Sequence, residues 1–182
     1  MKLKLVKLSE RYREQLDDMM TEWTTSGEDI IPWAIRKNDF RDFDRYLHEL
    51  DILREDGRHV PDTTFFALDE ERGIFVGAAN IRLRLNERLL ADGGHIGDGV
   101  RPSERGKGYG TELVRLALEE CRRRGILRVL MVCDEDNRAS ARTIEKNGGV
   151  LENVLPTDDG PVRRYWIDLT EREGQKEGGS PC

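Results

Sequence analysis

The chain has 182 residues, enough for one domain with or without a tail, and its 37% hydrophobic content beside 36% charged residues is polar but sufficient for one mixed core. A formal net charge of −6 at pH 7 argues against a general nucleic-acid binder, which needs a basic face. No apolar run approaches the ~20 residues of a membrane span, no signal-peptide core is seen, and Cys121, Cys133 and Cys182 have no metal-ligand spacing and, being odd in number, no disulfide framework, so a cytoplasmic protein with no metal and no membrane partner is expected.

Residues 2–8 alternate polar and apolar side chains and read as a half-buried strand. Ser9 looks like the N-cap of a helix running to about Trp23, with Tyr12, Leu16, Met19 and Met20 on one face. Residues 24–38, which include Gly27 and Pro32, form a break. A second helix is expected from about Asp39 to Glu55, where Phe40, Phe43, Tyr46, Leu47, Leu50 and Leu53 recur at helical spacing as a core stripe. Beyond a turn around Gly57 and Pro61, residues 63–69 and 74–85 read as strands joined by a hairpin-like connection, and 95–100 as a third after a loop or short helical turn. A helix over 108–124 buries Leu113, Leu116, Ala117 and Cys121 and ends at Gly125. The continuous apolar run 127–133 suits a strand covered on both faces. A short helix over 137–147 and strands over 150–154 and 162–169 complete the pattern. The expectation is one α/β (α+β) domain over 1–169, and a disordered tail over 170–182 that is rich in Gly, Ser and charge.

The most informative stretch is Val100-Arg-Pro-Ser-Glu-Arg-Gly-Lys-Gly-Tyr-Gly-Thr111, which sets Gly106, Gly108 and Gly110 between a strand and a helix. Glycine lets main-chain N–H groups crowd a ligand, and the following helix adds unpaired amides and the positive end of its dipole, a setting for an anion such as a pyrophosphate. Arg105 and Lys107 add cationic side chains at the same mouth. The spacing fits neither the P-loop nor the dinucleotide fingerprint G-x-G-x-x-G. It fits Arg-x-x-Gly-x-Gly, read as Arg105, Gly108 and Gly110.

That loop, with Val100 and Pro102 as its lead-in, resembles the cofactor loop of the GNAT acetyltransferase superfamily. A second landmark, Asn137-Arg-Ala-Ser-Ala-Arg-Thr-Ile-Glu-Lys-Asn-Gly148, is similar to the family's segment after the next strand. The stretches Arg82-Leu-Arg-Leu-Asn86 and Gly93-Gly-His-Ile-Gly97 look like a bacterial subgroup of predicted acetyltransferases. The resemblance spans residues 1–169 and implies a GNAT fold, with about seven strands in a mixed central sheet and four helices. It also implies an N-acetyltransferase that takes acetyl-CoA as cosubstrate and acetylates a primary amine of a small molecule, peptide or protein by direct attack. It implies, too, that the cofactor's pyrophosphate lies on the amides of Arg105, Gly106, Lys107, Gly108, Tyr109, Gly110 and Thr111. The pantetheine would act as a pseudo-strand in a gap beside the main chain of Asp98 and Val100, with Asn137 near the cofactor. A homodimer through the late strands would be in keeping with this superfamily.

Catalysis needs the amine neutral and the thiolate protonated. Asp98 is the leading candidate base, because a carboxylate on an otherwise apolar strand is held in its neutral form by burial. His95 on the same strand is a second candidate. The superfamily's usual general acid, a Tyr seven residues after the Asn, is replaced by Ile144. Tyr165 on the last strand is a candidate replacement, and the Ile144 departure keeps open a non-catalytic acyl-CoA-binding module. Arg82 and Arg84 are candidates to hold an acidic substrate group, whereas Glu28 and Asp29 suggest a cationic amine.

Overall fold

A computed structural model describes residues 2–56 and 58–170. Gly57, Cys182 and all but the first residue of the expected tail lie outside the described residues. The elements are β1 (Leu3–Val6), α1 (Arg13–Ser26), α2 (Trp33–Arg36), α3 (Phe43–Glu49), β2 (Asp62–Asp69), β3 (Ile74–Arg82), β4 (Ile96–Val100), α4 (Tyr109–Arg123), β5 (Arg128–Asp134), α5 (Arg138–Lys146), β6 (Val150–Leu155) and β7 (Val162–Asp168). The predicted strand and helix order holds, with one helix more than the four expected, because the break over 24–38 contains the single turn α2.

The seven strands form two antiparallel sheets, β1-β2-β3-β4 and β5-β7-β6, rather than one continuous ladder. Helices α4 and α5 cover one face through Leu113, Val114, Ala117, Ala141 and Ile144, packed on Ala79, Ile81, Ile96, Val129, Met131 and Tyr165. Helices α1 and α3 cover the other face of the first sheet through Leu16, Met19, Trp23, Phe43 and Tyr46 against Phe66, Phe75 and Ala78. The two clusters flank the first sheet, so β2 and β3 are buried almost throughout.

The second predicted helix is shortened to Phe43–Glu49 because its apolar stripe ends at the buried Leu50, whereas Leu53 is 85% exposed. The chain beyond Leu50 is held by the sheet instead. Asp51 accepts from the Thr64 amide at 2.8 Å, and the Ile52 amide donates to Asp62 at 2.7 Å. Ser9 occupies the expected N-cap position, but it opens a 3₁₀ turn and its side chain makes no capping bond.

Between α1 and α2 the chain crosses β4 at van der Waals range. A Cβ on Gly99 would sit 2.2 Å from the Ile31 carbonyl oxygen, so only a residue without a side chain lets the crossing close. Gly99→Ala is expected to destabilise the fold by roughly 1–3 kcal/mol, as overpacking does. Urea unfolding would register this as a lower midpoint, and an unchanged midpoint would contradict the crossing.

Candidate functional site

The site is built at the junction of the two sheets. His95, just ahead of β4, donates its amide to the Leu130 carbonyl of β5 at 2.7 Å, and its Nδ1 accepts the Leu130 amide at 2.9 Å. No other main-chain bond joins β4 to β5 among the described residues. Antiparallel pairing dictates which way each β4 amide points. The Arg82 amide donates to the His95 carbonyl and the Arg101 amide to the Val76 carbonyl, so the odd-numbered positions between them turn toward β3. The main-chain groups of Asp98 and Val100 therefore face away from β3 into the gap. The Val100 carbonyl accepts from Arg105 Nε at 3.0 Å.

At the far end of β4 the chain makes a 3₁₀ turn, Pro102–Glu104, and enters α4. Gly106 and Gly108 have φ of 75° and 90°, left-handed values that side-chain-bearing residues rarely adopt. The α4 ladder starts with the Glu112 amide on the Gly108 carbonyl at 3.3 Å, which leaves the amides of Tyr109, Gly110 and Thr111 free of helical partners. The amides of Gly106, Lys107 and Gly108 also find no main-chain acceptor among the described residues. A Cβ on Gly106 would meet nothing within 4 Å, so this row of donors is open to a ligand.

The cationic side chains of the loop are already paired. Arg105 is ion-paired with Glu28, and Lys107 with Glu104 at 3.1 Å. Glu104 also takes a bidentate contact from Arg72 at 2.8 Å, and this hydrogen bonding holds its carboxyl down at about 2. Tyr109 turns its ring inward, and its hydroxyl donates to Asp69 at 2.5 Å, so that only its amide faces the loop mouth. Arg101 is buried and ion-paired with Asp18 and Glu22, and Glu22 also accepts from the Ser103 amide at 2.9 Å. These pairs fasten the loop to α1 and to the β2–β3 hairpin. The mouth of the loop therefore presents mainly main-chain groups, its cationic side chains being already paired.

Asp98 shares a strand face with Ile96 and Val100, on the α4 side of the sheet. It is half-buried and makes no hydrogen bond or ion pair among the described residues. Desolvation alone pushes its carboxyl up to about 6. Cys133 on β5 lies within electrostatic reach, and burial pushes its thiol up. His95 is placed differently. Its Nδ1 is occupied as an acceptor, so the ring proton sits on Nε2, and burial followed by the Arg82 charge pulls its pKa down to about 4. The ring thus straps the two sheets together as a neutral imidazole.

Tyr165 and Asp98 both lie within electrostatic reach of Cys133. Tyr165 lies fully buried on the middle strand of the second sheet, beneath α5, and its hydroxyl donates to Glu145 at 3.2 Å. Ile144 is equally buried in the core under α4 and α5. The Asn137 side chain accepts from the Ser140 amide at 3.0 Å and caps α5. Glu28 and Asp29 are both neutralised, Glu28 by Arg105 and Asp29 by Arg36 at 3.1 Å. Arg82 lies half-buried beneath Gly97, whereas Arg84 reaches outward to Glu55 at 3.0 Å. Among the described residues there is no group of His, Cys, Asp and Glu side chains able to hold a metal ion, and no helix long and apolar enough to cross a membrane.

Sequence reasoning missed a cavity of about 340 Å³ on the sheet face opposite α4, lined by Trp33, Arg58, His59, Asp62, Arg82 and Arg88. Of these only Arg82 drew attention in the sequence, because the others come from separate loops and turns with no common spacing.

The depressed pKa of His95 has a consequence for stability. Above pH 6.5 both folded and unfolded forms carry a neutral ring; as pH falls toward about 4 only the unfolded form takes up a proton, and stability is lost. The full loss is roughly 3 kcal/mol. Urea midpoints at pH 7 and pH 5 should therefore fall further apart in the parent chain than in His95→Gln; equal gaps would contradict the strap.

Comparison with known proteins accords with this geometry. The profile of the Acetyltransferase (GNAT) family matches residues 16–149. A 69-residue stretch is 42% identical to mycothiol acetyltransferase of Streptosporangium roseum, covering 34% of this chain but only 20% of that relative's length. The fold is similar to that of RimL, the ribosomal L7/L12 α-N-protein acetyltransferase solved with coenzyme A, at TM-score 0.67 and 16% identity over 93% of this chain and 95% of that one. It is also similar to the microcin C7 self-immunity acetyltransferase MccE, solved with acetyl-CoA and AMP, at TM-score 0.66 and 16% identity over 92% of each chain. Mutant forms of the spermidine/spermine N-acetyltransferase SpeG from Vibrio cholerae align at TM-score 0.62 and 16% identity over 92% of this chain and 95% of that one. With a family profile matched along most of the domain and the fold to go with it, the chain belongs to the GNAT acetyltransferase family.

Proposed function

We propose that this protein transfers an acetyl group from acetyl-CoA to a primary amine in a ternary complex. The observation that carries the reading is the open row of main-chain donors over residues 106–111, one short turn beyond the edge of β4 that β5 does not pair. Diphosphate oxygens suit such a row, since amides at a helix start present both hydrogen bonds and a favourable dipole. A pantetheine arm is a chain of amides separated by short methylene runs, and the N–H and C=O of Asp98 with the N–H of Val100 offer it a strand's hydrogen-bonding pattern, the Val100 carbonyl being held by Arg105. That some relatives were solved with coenzyme A or acetyl-CoA supports the same cosubstrate here.

In the step itself the amine nitrogen attacks the thioester carbonyl carbon, the C–N bond forms, and the C–S bond breaks to release CoA as a thiolate that takes up a proton. Charge that gathers on the carbonyl oxygen is stabilised by a main-chain N–H of the β4 edge. Holding both reactants in one site supplies a further large part of the rate. An amine of pKa ~10.4 must lose a proton first, at a cost of roughly 4–5 kcal/mol at pH 7. Asp98, unpartnered and with its carboxyl raised to about 6, is the group we assign to accept that proton, directly or through water.

Two experiments test the reading. Gly108→Asp places charge and a Cβ at a φ of 90° in the donor row. Calorimetry should then show acetyl-CoA affinity lowered at least about tenfold, the loss expected when a charged partner is opposed. Unaltered affinity would count against the loop as the phosphate seat. For the base, kcat/KM of the parent chain should rise with pH through about 6, since the working form is the ionised carboxylate. Asp98→Asn should remove that limb and lower the rate on the order of 10²-fold or more, and an unchanged profile would reduce Asp98 to a scaffold residue.

A further inference from the structure

The cavity on the face opposite α4 has a charge pattern that the acetyl-transfer reading leaves unexplained. Its floor is the far end of the first sheet, where Asp62 pairs with Arg82 across β2 and β3 and Arg82 meets His95 at the start of β4. Trp33 of α2 and His59 form one wall, their rings 6.4 Å apart and nearly parallel at 19°. Arg58 and Arg88 stand at the rim.

Three guanidinium groups converge there with little to balance them. Arg82 donates to the Gly93 and Gly94 carbonyls at 2.9 and 3.2 Å but has no ion pair among the described residues. Burial pulls its pKa down, the direction that marks an undercompensated buried charge. The side chains of Arg58 and Arg88 also have no ion pair among the described residues, although the Arg58 amide donates to Asp56 at 3.3 Å. Arg101 and Arg164, by contrast, are buried with carboxylate partners. Two carboxylates, Asp62 and Asp92, bear on Arg82, and of these Asp62 already accepts the Ile52 amide and has its own pKa pushed up by burial. His59 is engaged by Asp56 at 3.0 Å. Among the residues that line the cavity three arginines stand against the one carboxylate of Asp62, a balance that suits a bound anion.

The cavity also adjoins the gap. Gly97 shares its face of β4 with the floor, and a Cβ there would lie 3.3 Å from Arg82 Nη2. The next residue is Asp98, whose main chain borders the gap. A molecule whose anionic group rests on Arg58, Arg82 and Arg88 can therefore extend its other end along β4 to where the thioester is placed.

We infer that the acyl acceptor is an amine that also carries an anionic group, a carboxylate or a phosphate-like oxyanion, seated by Arg58, Arg82 and Arg88 beside Trp33. The inference rests on the acetyl-transfer reading and reverses the preference for a cationic amine suggested by Glu28 and Asp29, both of which are ion-paired in the fold.

The test uses the full chain saturated with coenzyme A, so that the loop over 106–111 is occupied. Inorganic phosphate is titrated while the Trp33 indole and His59 signals are followed by NMR. Saturable shifts are expected, with affinity at least about tenfold weaker in Arg58→Ala/Arg88→Ala, where two charge-assisted partners are gone. These arginines are exposed, so the variant should keep its fold, and the single substitutions provide a second reading. In parallel, thiol release from acetyl-CoA is compared for aminoethylphosphonate and ethanolamine, which differ in the anionic group; the former should show the lower KM, and the advantage should vanish in the double variant. Unmoved Trp33 and His59 signals, or equal KM values, would overturn the inference. Thiol release with ethanolamine and no response to phosphate would leave acetyl transfer standing and remove the acidic acceptor. Phosphate binding with thiol release from neither amine would overturn both readings and leave only an anion seat.

Discussion

Strand β4 is hydrogen-bonded along one side only. Its odd-numbered positions serve β3, its even-numbered positions face β5, and β5 takes its own ladder from β7. The sheets meet at His95 and Leu130 and then part. An unpaired strand edge in the interior of a domain is costly unless something polar completes it. Here the edge is followed, after the 3₁₀ turn Pro102–Glu104, by a glycine turn whose amides also lack main-chain acceptors among the described residues. The two sets of donors are separated by residues 101–105, whose amides at 101, 103, 104 and 105 are already paired, and the proposed extended ligand with an anionic head would span that turn.

Charge is arranged so that the donor row is held rigid by pairs outside it. Glu104 joins Arg72 to Lys107, Glu22 joins Arg101 to Ser103, and Tyr109 is anchored on Asp69. These contacts tie the turn ahead of α4 to α1 and to the β2–β3 hairpin, and they leave the main-chain amides to face outward. The face across β4 has the opposite character, with arginines that lack such partners. The two sides of one short strand thus differ in charge, and Gly97 and Gly99 keep the strand thin enough for the 31–33 segment and Arg82 to pack closely on it.

Much of this was legible in the sequence because it is local. Alternation and helical spacing located every strand and the helices α1, α4 and α5 to within a few residues, and the glycine spacing ahead of α4 marked the donor row. The second helix was drawn too long because apolar spacing continues through Leu53, and the pull of Asp62 on the Ile52 amide is a tertiary contact with no local signature. Strand order, which makes β7 the middle of its sheet with the Tyr165 hydroxyl on Glu145, is a tertiary fact with no local signature. Arg105 and Lys107 read as free cations, and only the fold reveals Glu28 and Glu104 beside them. The arginine-rimmed cavity was least legible, being assembled from α2, the 58–60 segment, β2, β3 and the turn before β4.

The central claim is that the β4 edge and the loop amides together receive one coenzyme. Amide hydrogen exchange tests it residue by residue. In the free chain the amides of Asp98, Val100, Gly110 and Thr111 should exchange quickly for buried-sheet and helical positions, and adding coenzyme A should slow all of them together. Edge amides already protected without ligand, or unchanged by saturating coenzyme A, would contradict the account.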